Sequence, residues 1–134
     1  MGRPDFSGVW IFNRELSSLQ IPAPDSTVFL IRHHEPEFHL ERTHVFGDIR
    51  DVFSIDLVTD GKSVELTHRD TVISARLYWE AEELVFYSEL RRGEEFGTNV
   101  VRYQLTNGGR TFTALERLDS AGQSHVNTWV FDRG

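Results

Sequence analysis

Several segments of the chain alternate polar or charged side chains with apolar ones, a pattern that places the polar groups on one face of a β-strand. Arg42 and His44 are two residues apart in one such segment, and His68, Arg102 and Glu116 lie in later ones. Histidine titrates near neutral pH and a desolvated carboxylate is a stronger base, so His44, His68 and Glu116 are candidate catalytic residues. Arginine can hold the polar end of a ligand, so Arg42 and Arg102 are candidate ligand-binding residues.

The spacing of the histidines does not predict a metal site. The chain has six histidines, and His33, His34 and His39 fall near one predicted turn while His44 lies far along the next strand. A tetrahedral site needs ligands that converge on one point. We therefore predict that the protein binds no metal.

Motifs of other cofactors and of common enzyme classes are missing from the sequence. There is no Ser-His-Asp spacing, phosphate loop or metal signature, so a hydrolase or kinase has no support. A haem-binding barrel would need one inward histidine, for which His68 or His125 could serve, and haem stays open as an alternative. The main expectation is a site without a cofactor.

Composition limits the partners and the compartment. The 134 residues include 21 acidic and 14 basic ones, with no basic run, which argues against nucleic acid and anionic membranes as partners. There is no cysteine, so disulfides and thiolate chemistry are excluded. No apolar run approaches transmembrane length, and the N-terminus does not resemble a signal peptide. We expect one domain spanning residues 1–134, cytoplasmic as given or secreted if a leader was removed, and a homodimer is left open.

Period-two runs separated by turn residues dominate the chain after residue 26. They cover residues 27–34, 38–46, 51–59, 62–68, 71–80, 83–91, 98–106, 111–118 and 124–132, after a first strand within residues 6–13. Asp60-Gly61 is the strongest hairpin signal between them. So many short strands joined by local turns predict an all-β fold, a closed antiparallel up-and-down barrel of about 8–10 strands.

The segment Arg14 to Ile21 differs from the strands. Asn13 could cap a helix, apolar residues stand at 16, 19 and 21, and Pro22 and Pro24 would end it within two turns. We predict a short helical plug across one end of the barrel, with an irregular loop as the alternative.

The apolar phase of each strand predicts what the barrel encloses. Its expected wall includes Phe53, Trp79, Phe86 and Trp129, and also Tyr78 if a bulge turns that side chain inward. The same phases carry polar residues, namely Arg32, His34, Arg42, His44, His68, Ser88, Arg102, Glu116, His125 and Asn127. Buried unpaired charges are costly, so the lumen is expected to be partly polar, hydrated or occupied, unless these groups lie near strand ends in solvent.

The two ends of the chain carry a family resemblance. Phe6-Ser7-Gly8-Val9-Trp10 with Asn13, and Trp129-Val130-Phe131-Asp132-Arg133 at the end, resemble the calycins, which include lipocalins, fatty-acid-binding proteins and bacterial lipocalin-like domains. The resemblance implies a ligand-binding barrel in which a cation from the last strands, Arg133 or Arg117, packs over Trp10.

Two features depart from the fatty-acid-binding proteins. The first connection is too short for their helix-turn-helix lid. Glu116-Arg117-Leu118 also lacks the Arg-x-Tyr pair with which those proteins hold a carboxylate.

Two functions follow from such a barrel. The first is binding of a small hydrophobic or amphipathic molecule by an apolar cavity with a few polar groups. The alternative is a cyclase, isomerase or lyase that folds a hydrophobic substrate in the same cavity, with help from histidine or Glu116.

Overall fold

A computed structural model describes residues 3–134 and contains ten strands. They are β1 Gly8–Phe12, β2 Ser26–His34, β3 Glu37–Phe46, β4 Ile49–Val58, β5 Val64–His68, β6 Thr71–Glu80, β7 Glu83–Arg92, β8 Glu95–Thr106, β9 Thr111–Ser120 and β10 Gln123–Arg133. One turn of 3-10 helix, Asn107–Gly109, joins β8 to β9. Within the described range no helix is long and apolar enough to cross a membrane.

The strands form one antiparallel sheet that curls into a nearly closed barrel. Its order is β4-β3-β2-β1-β10-β9-β8-β7-β6-β5, so the first strand pairs with both the second and the last. The all-β, up-and-down prediction is confirmed. Full closure is not, because β4 and β5 are the two edges of the sheet and share no ladder in the described chain.

The turn at Asp60-Gly61 does not make the predicted β4–β5 hairpin. Gly61 has a φ of +82°, which suits the tight turn that its sequence indicated. Its N–H, however, donates to the carbonyl of Leu77 at 2.9 Å, and Asp60 bridges to Tyr78. The turn therefore carries the chain past β4 to the far edge strand, where β5 pairs with β6.

The predicted helical plug is not present. Between Asn13 and Asp25 the chain makes a single turn at residues 14–16 and an isolated bridge, with no helix. Ser18 exchanges two backbone hydrogen bonds with Thr128 on β10, of 2.9 and 2.7 Å. Because the backbone groups of this short segment pair with a strand, they do not form the marginal two-turn helix that the sequence allowed.

The inward phase of β2 is opposite to the predicted one. Phe29, Ile31 and His33 are buried, whereas Arg32 and His34 are exposed. The run from 28 to 31 consists entirely of apolar residues, so alternation alone could not choose between the two phases.

The closed end, formed by the β2–β3 and β6–β7 turns and both chain ends, holds a solid aromatic core. Phe6 is fully buried, with its ring 6.0–6.4 Å from the rings of His33, Trp79, Tyr103 and Phe112. The indole of Trp10 donates to the carbonyl of Phe6 at 2.9 Å. This packing fills the interior of the barrel at the closed end.

Arg133 supplies the cation that the calycin resemblance implied. Its guanidinium carbon lies 4.2 Å from the centroid of the Trp10 ring. The same group donates to the carbonyl oxygens of Ser7 and Gly109. Arg117, the other candidate, instead pairs with Asp119 on the surface.

Candidate functional site

A cavity of about 400 Å³ occupies the barrel between the aromatic core and the open end, where the β3–β4, β5–β6, β7–β8 and β9–β10 turns lie. Its walls are mainly apolar, with Phe29, Leu40, Phe53, Ile73, Phe86 and Val101 among them. These side chains come from inward positions of β2, β3, β4, β6, β7 and β8. The cavity is therefore a product of the whole sheet rather than of one motif.

Glu116 accepts three side-chain hydrogen bonds at the cavity wall. Its Oε1 accepts hydrogen bonds from Trp129 Nε1 at 2.9 Å and Asn127 Nδ2 at 3.0 Å, and its Oε2 accepts one from Asn99 Nδ2 at 3.0 Å. All three donors are neutral. Side-chain N–H groups thus take the place of solvent around this carboxylate, which fixes its position on the cavity wall.

Three basic side chains near the open end form hydrogen bonds with Asp51. It accepts hydrogen bonds from Arg42 NH2 at 3.0 Å, His68 Nε2 at 3.1 Å and Arg69 Nε at 2.5 Å. Burial raises the pKa of Asp51, but the hydrogen bonds from Arg69 and His68 and the charge of Arg42 more than offset it and hold that pKa below its usual value. Asp51 is therefore a carboxylate that joins β3, β4 and the β5–β6 turn.

Arg42 lies between this acid and the cavity wall. Its guanidinium carbon is 5.2 Å from the Phe53 ring centroid. Burial lowers the pKa of Arg42, and the nearby negative charge of Asp51 acts against that effect. Its Nε atom is buried without a hydrogen-bond partner among the described residues.

His44 is held as a neutral ring. Its Nδ1 is 2.6 Å from the hydroxyl of Thr27, and its ring stacks on Trp129 at a centroid distance of 5.7 Å. Burial and the charge of Arg42 lower the pKa of His44 from 6.5 to about 4, while Asp51 acts in the other direction. At neutral pH His44 is therefore an uncharged part of the cavity wall.

The structure brings seven of the ten predicted site residues to this cavity. They are His44, His68, Glu116, Arg42, Phe53, Phe86 and Trp129. They come together because each lies on the inward phase of its strand, as the alternation indicated.

Arg102, Tyr78 and Trp79 lie elsewhere. Arg102 is on the outer face of β8, where it pairs with Glu80 at 2.7 Å, so its predicted inward phase was wrong. Tyr78 also lies outside, with Arg76 over its ring at 5.7 Å, and no bulge turns it inward.

Trp79 belongs to the closed end. Its indole donates to Glu35 Oε2 at 3.1 Å, beside the ring of Phe6. The apolar phase correctly placed Trp79 inside, but phase alone does not tell how far along the barrel a residue lies.

Sequence reasoning missed Tyr103, Asp51 and Asn99 as cavity residues. Tyr103 is 3% exposed, and burial together with the charge of Glu116 raises the pKa of its phenol. The choice of Arg102 as the inward residue of β8 excluded its neighbours, so correct phasing would have revealed both Tyr103 and Asn99. Asp51 begins the predicted run 51–59, and a carboxylate at a strand end commonly faces solvent.

The connection between β1 and β2 is tied to Glu116 through one buried side chain. Asn127 is fully buried, accepts a hydrogen bond from the backbone N–H of Gln20 at 2.7 Å and donates to Glu116. The side chain of Gln20 in turn accepts from the N–H of Val126. The segment that replaces the predicted plug is thus positioned by the same network as the cavity acid.

A second hollow, of about 610 Å³, lies beside the gap between β4 and β5. Outward-facing polar side chains such as Arg32, His39, Asp56 and Lys62 line much of it. Residues 3–134 contain no group of three or more His, Asp or Glu side chains that could hold a metal. The cavity inside the barrel is therefore the better candidate for a specific site.

No protein-family model and no curated protein matches the chain. Solved structures do match it over nearly its full length. Secretory abundant heat soluble protein 4 from Ramazzottius varieornatus is 12% identical, with 100% of this chain and 99% of that chain covered and a TM-score of 0.65.

Two other solved structures match over a similar share of the chain. Human cRBP IV is 12% identical, covers 98% of this chain and 99% of its own, and has a TM-score of 0.64. The zebrafish ileal bile acid-binding protein in complex with cholic acid is 13% identical, with coverages of 96% and 98% and a TM-score of 0.62. At such identities the likeness concerns the fold alone, and it shows that this chain has the calycin-type β-barrel fold.

Proposed function

We propose that this protein binds a small lipophilic or amphipathic molecule inside the barrel. The observation that best supports this proposal is the cavity of about 400 Å³, which is walled by aromatic and aliphatic side chains and also contains fixed polar groups. Sites for small organic ligands typically have about 300–1,000 Å³ and this same composition. Binding would remove apolar ligand surface from water, at roughly 25 cal/mol per Å².

The structural neighbours support binding as a class. One is a retinol-binding protein and another holds cholic acid, so barrels of this shape can enclose lipophilic molecules. The proposal includes no cofactor. No observation favours the cyclase, isomerase or lyase alternative, because Glu116 already accepts three hydrogen bonds and His44 is engaged by Thr27.

Binding can be tested with Nile red, a neutral dye that fluoresces in apolar surroundings, and by native mass spectrometry of the purified protein. We expect saturable dye fluorescence, or a co-purified lipophilic molecule whose mass disappears on denaturation. Ala114, which is 2% exposed and lines the cavity, offers a way to fill it. Ala114→Phe should weaken dye binding about tenfold or more.

Thr113→Phe is the matched control, because residue 113 is the neighbour of Ala114 on the opposite face of β9. It should leave dye binding unchanged. If Ala114→Phe does not fold, Ser88→Leu fills the same cavity from β7. Absence of both dye binding and a co-purified molecule, or equal binding by the cavity-filled and control variants, would contradict the proposal.

A further inference from the structure

Two buried polar atoms of cavity-lining residues have no hydrogen-bond partner within the described chain. They are Arg42 Nε, which is a donor, and Asn99 Oδ1, which is an acceptor. Buried polar groups in folded proteins are almost always paired, because an unpaired one loses its hydrogen bonds to water and gains none in return. A free donor and a free acceptor on residues that line the same cavity therefore indicate polar groups that a ligand could pair with.

The orientation of the Asn99 amide follows from its neighbour. Glu116 Oε2 is 3.0 Å from Asn99 Nδ2 and, as a carboxylate oxygen, can only accept a hydrogen bond. The NH₂ group of Asn99 must therefore face Glu116. This leaves the carbonyl oxygen of the amide as the free atom, so the cavity presents an acceptor at this position.

The charges near these atoms disfavour an anionic head group. The guanidinium of Arg42 is already paired with Asp51 at 3.0 Å, and Glu116 adds a second negative charge to its surroundings. A ligand carboxylate would have to compete with Asp51 while lying near Glu116 and the Asn99 carbonyl, both of which repel it. It would also leave Asn99 Oδ1 unpaired, since an ionised carboxylate has no hydrogen to donate.

A neutral hydroxyl group fits these constraints, because it both donates and accepts one hydrogen bond. The phenol of Tyr103, which is buried in the same cavity wall, adds a further neutral hydrogen-bonding group. We infer, on the basis of the binding function proposed above, that the cavity selects a neutral lipid alcohol. Its hydroxyl donates to Asn99 Oδ1, and its apolar body lies against Phe29, Phe53 and Phe86.

Head-group selectivity can be measured with three ligands of equal chain length: dodecan-1-ol, dodecanoate and dodecylamine. Each is titrated near neutral pH into the protein loaded with Nile red. We expect dodecan-1-ol to displace the dye at a concentration at least about tenfold lower than dodecanoate or dodecylamine.

Dodecanoate or dodecylamine displacing the dye as well as the alcohol does would overturn this inference while leaving the binding function intact. Failure of the dye itself to bind would instead contradict the proposed function. The two failures are therefore distinguishable in one experiment.

Asn99→Leu tests the acceptor directly. It removes the free oxygen at similar volume, so affinity for dodecan-1-ol should fall about tenfold while Nile red binding persists. Gln104→Leu is the matched control, because it makes the same change on the outer face of β8. Equal effects of the two substitutions, or an equal loss for alcohol and dye, would contradict the assigned role.

Glu116→Gln offers a second and opposite test. The substitution removes the negative charge of Glu116 and replaces one carboxylate oxygen with an NH₂ group. That NH₂ group would donate to Asn99 Oδ1 once the Asn99 amide rotates, and the rotation turns the NH₂ of Asn99 toward the cavity. The preference for alcohol over dodecanoate should then shrink at least about fivefold. An unchanged preference in a folded variant would show that Glu116 and Asn99 do not set it.

Discussion

Asp51 Oδ1 on β4 lies 3.1 Å from His68 Nε2 on β5, across the boundary at which neighbouring strands share no backbone ladder. Arg69 reinforces this contact with a hydrogen bond to the same oxygen and a longer one to the carbonyl of Arg50. Side chains thus join the two edges of the sheet at the open end.

Asp51→Asn should loosen this junction. Loss of the charge weakens the contacts with Arg42, His68 and Arg69, and we expect the free energy of unfolding to fall by about 1–2 kcal/mol. Amide hydrogen exchange should accelerate in β4 and β5 more than in β8 and β9. Asp56→Asn, on the outer face of the same strand, is the control, and equal exchange in both variants would contradict a role in holding the gap.

His44 should make the protein less stable in mild acid. Its folded pKa of about 4 lies below the ordinary 6.5, so between these values the unfolded chain binds a proton that the folded protein does not. The free energy of unfolding should therefore fall as the pH is lowered from 6.5 toward 4, by up to about 3 kcal/mol.

Denaturant unfolding at a series of pH values measures this effect. His44→Gln, which keeps a hydrogen-bonding group near Thr27, should flatten the profile over that range. His39→Gln replaces a histidine on the outer face of the same strand and should leave the profile as it is. A wild-type slope that persists in His44→Gln would assign the pH dependence to other groups.

Arg133→Lys should destabilise the closed end by about 1–2 kcal/mol. Lysine keeps the charge but loses the planar group that lies over Trp10 and donates to the carbonyl oxygens of Ser7 and Gly109. Thermal unfolding followed by tryptophan fluorescence measures the loss. Arg117→Lys is the matched control, because Arg117 is exposed, and an equal shift in both variants would exclude a special role for the Trp10 contact.

Asn127→Ala should release the connection between β1 and β2. The substitution leaves the N–H of Gln20 without its acceptor and Glu116 with one donor fewer, at a cost of about 1–3 kcal/mol. Hydrogen exchange of residues 16–20 should rise before that of β1. Gln123→Ala, an exposed change on the same strand, should have neither effect, and unchanged exchange in Asn127→Ala would show that the connection is held by Ser18 and Thr128 instead.

Alternation along the sequence determined most of the sheet. Phe53 could be assigned to the lumen because Ser54 and Asp56 alternate with the apolar residues of its strand, and burying those residues forces the phase of the strand. The same reasoning put Arg42, His44 and Glu116 on one surface. The calycin resemblance also implied a cation over Trp10, and the structure shows that it is Arg133, one of the two candidates left open.

Alternation failed where neighbouring residues were equally suited to either face. In β2 the apolar run from 28 to 31 satisfied both phases, and in β8 Val100 and Val101 did the same, so Arg102 was placed inside in place of Tyr103. The free energy that decides such cases comes from packing against other strands, which a single strand's sequence does not contain.

The amino-acid sequence by itself determined that this chain forms an up-and-down β-barrel with a partly polar interior, because side-chain period and turn chemistry are local properties. The tertiary structure decided that the gap lies between β4 and β5, that residues 13–20 run beside β10 without a helix, and that Asn99 and Arg42 keep a free acceptor and a free donor. These features depend on which backbone and side-chain groups find partners far away in the chain. Which of these groups are hydrogen-bonded is determined only when all ten strands are in place.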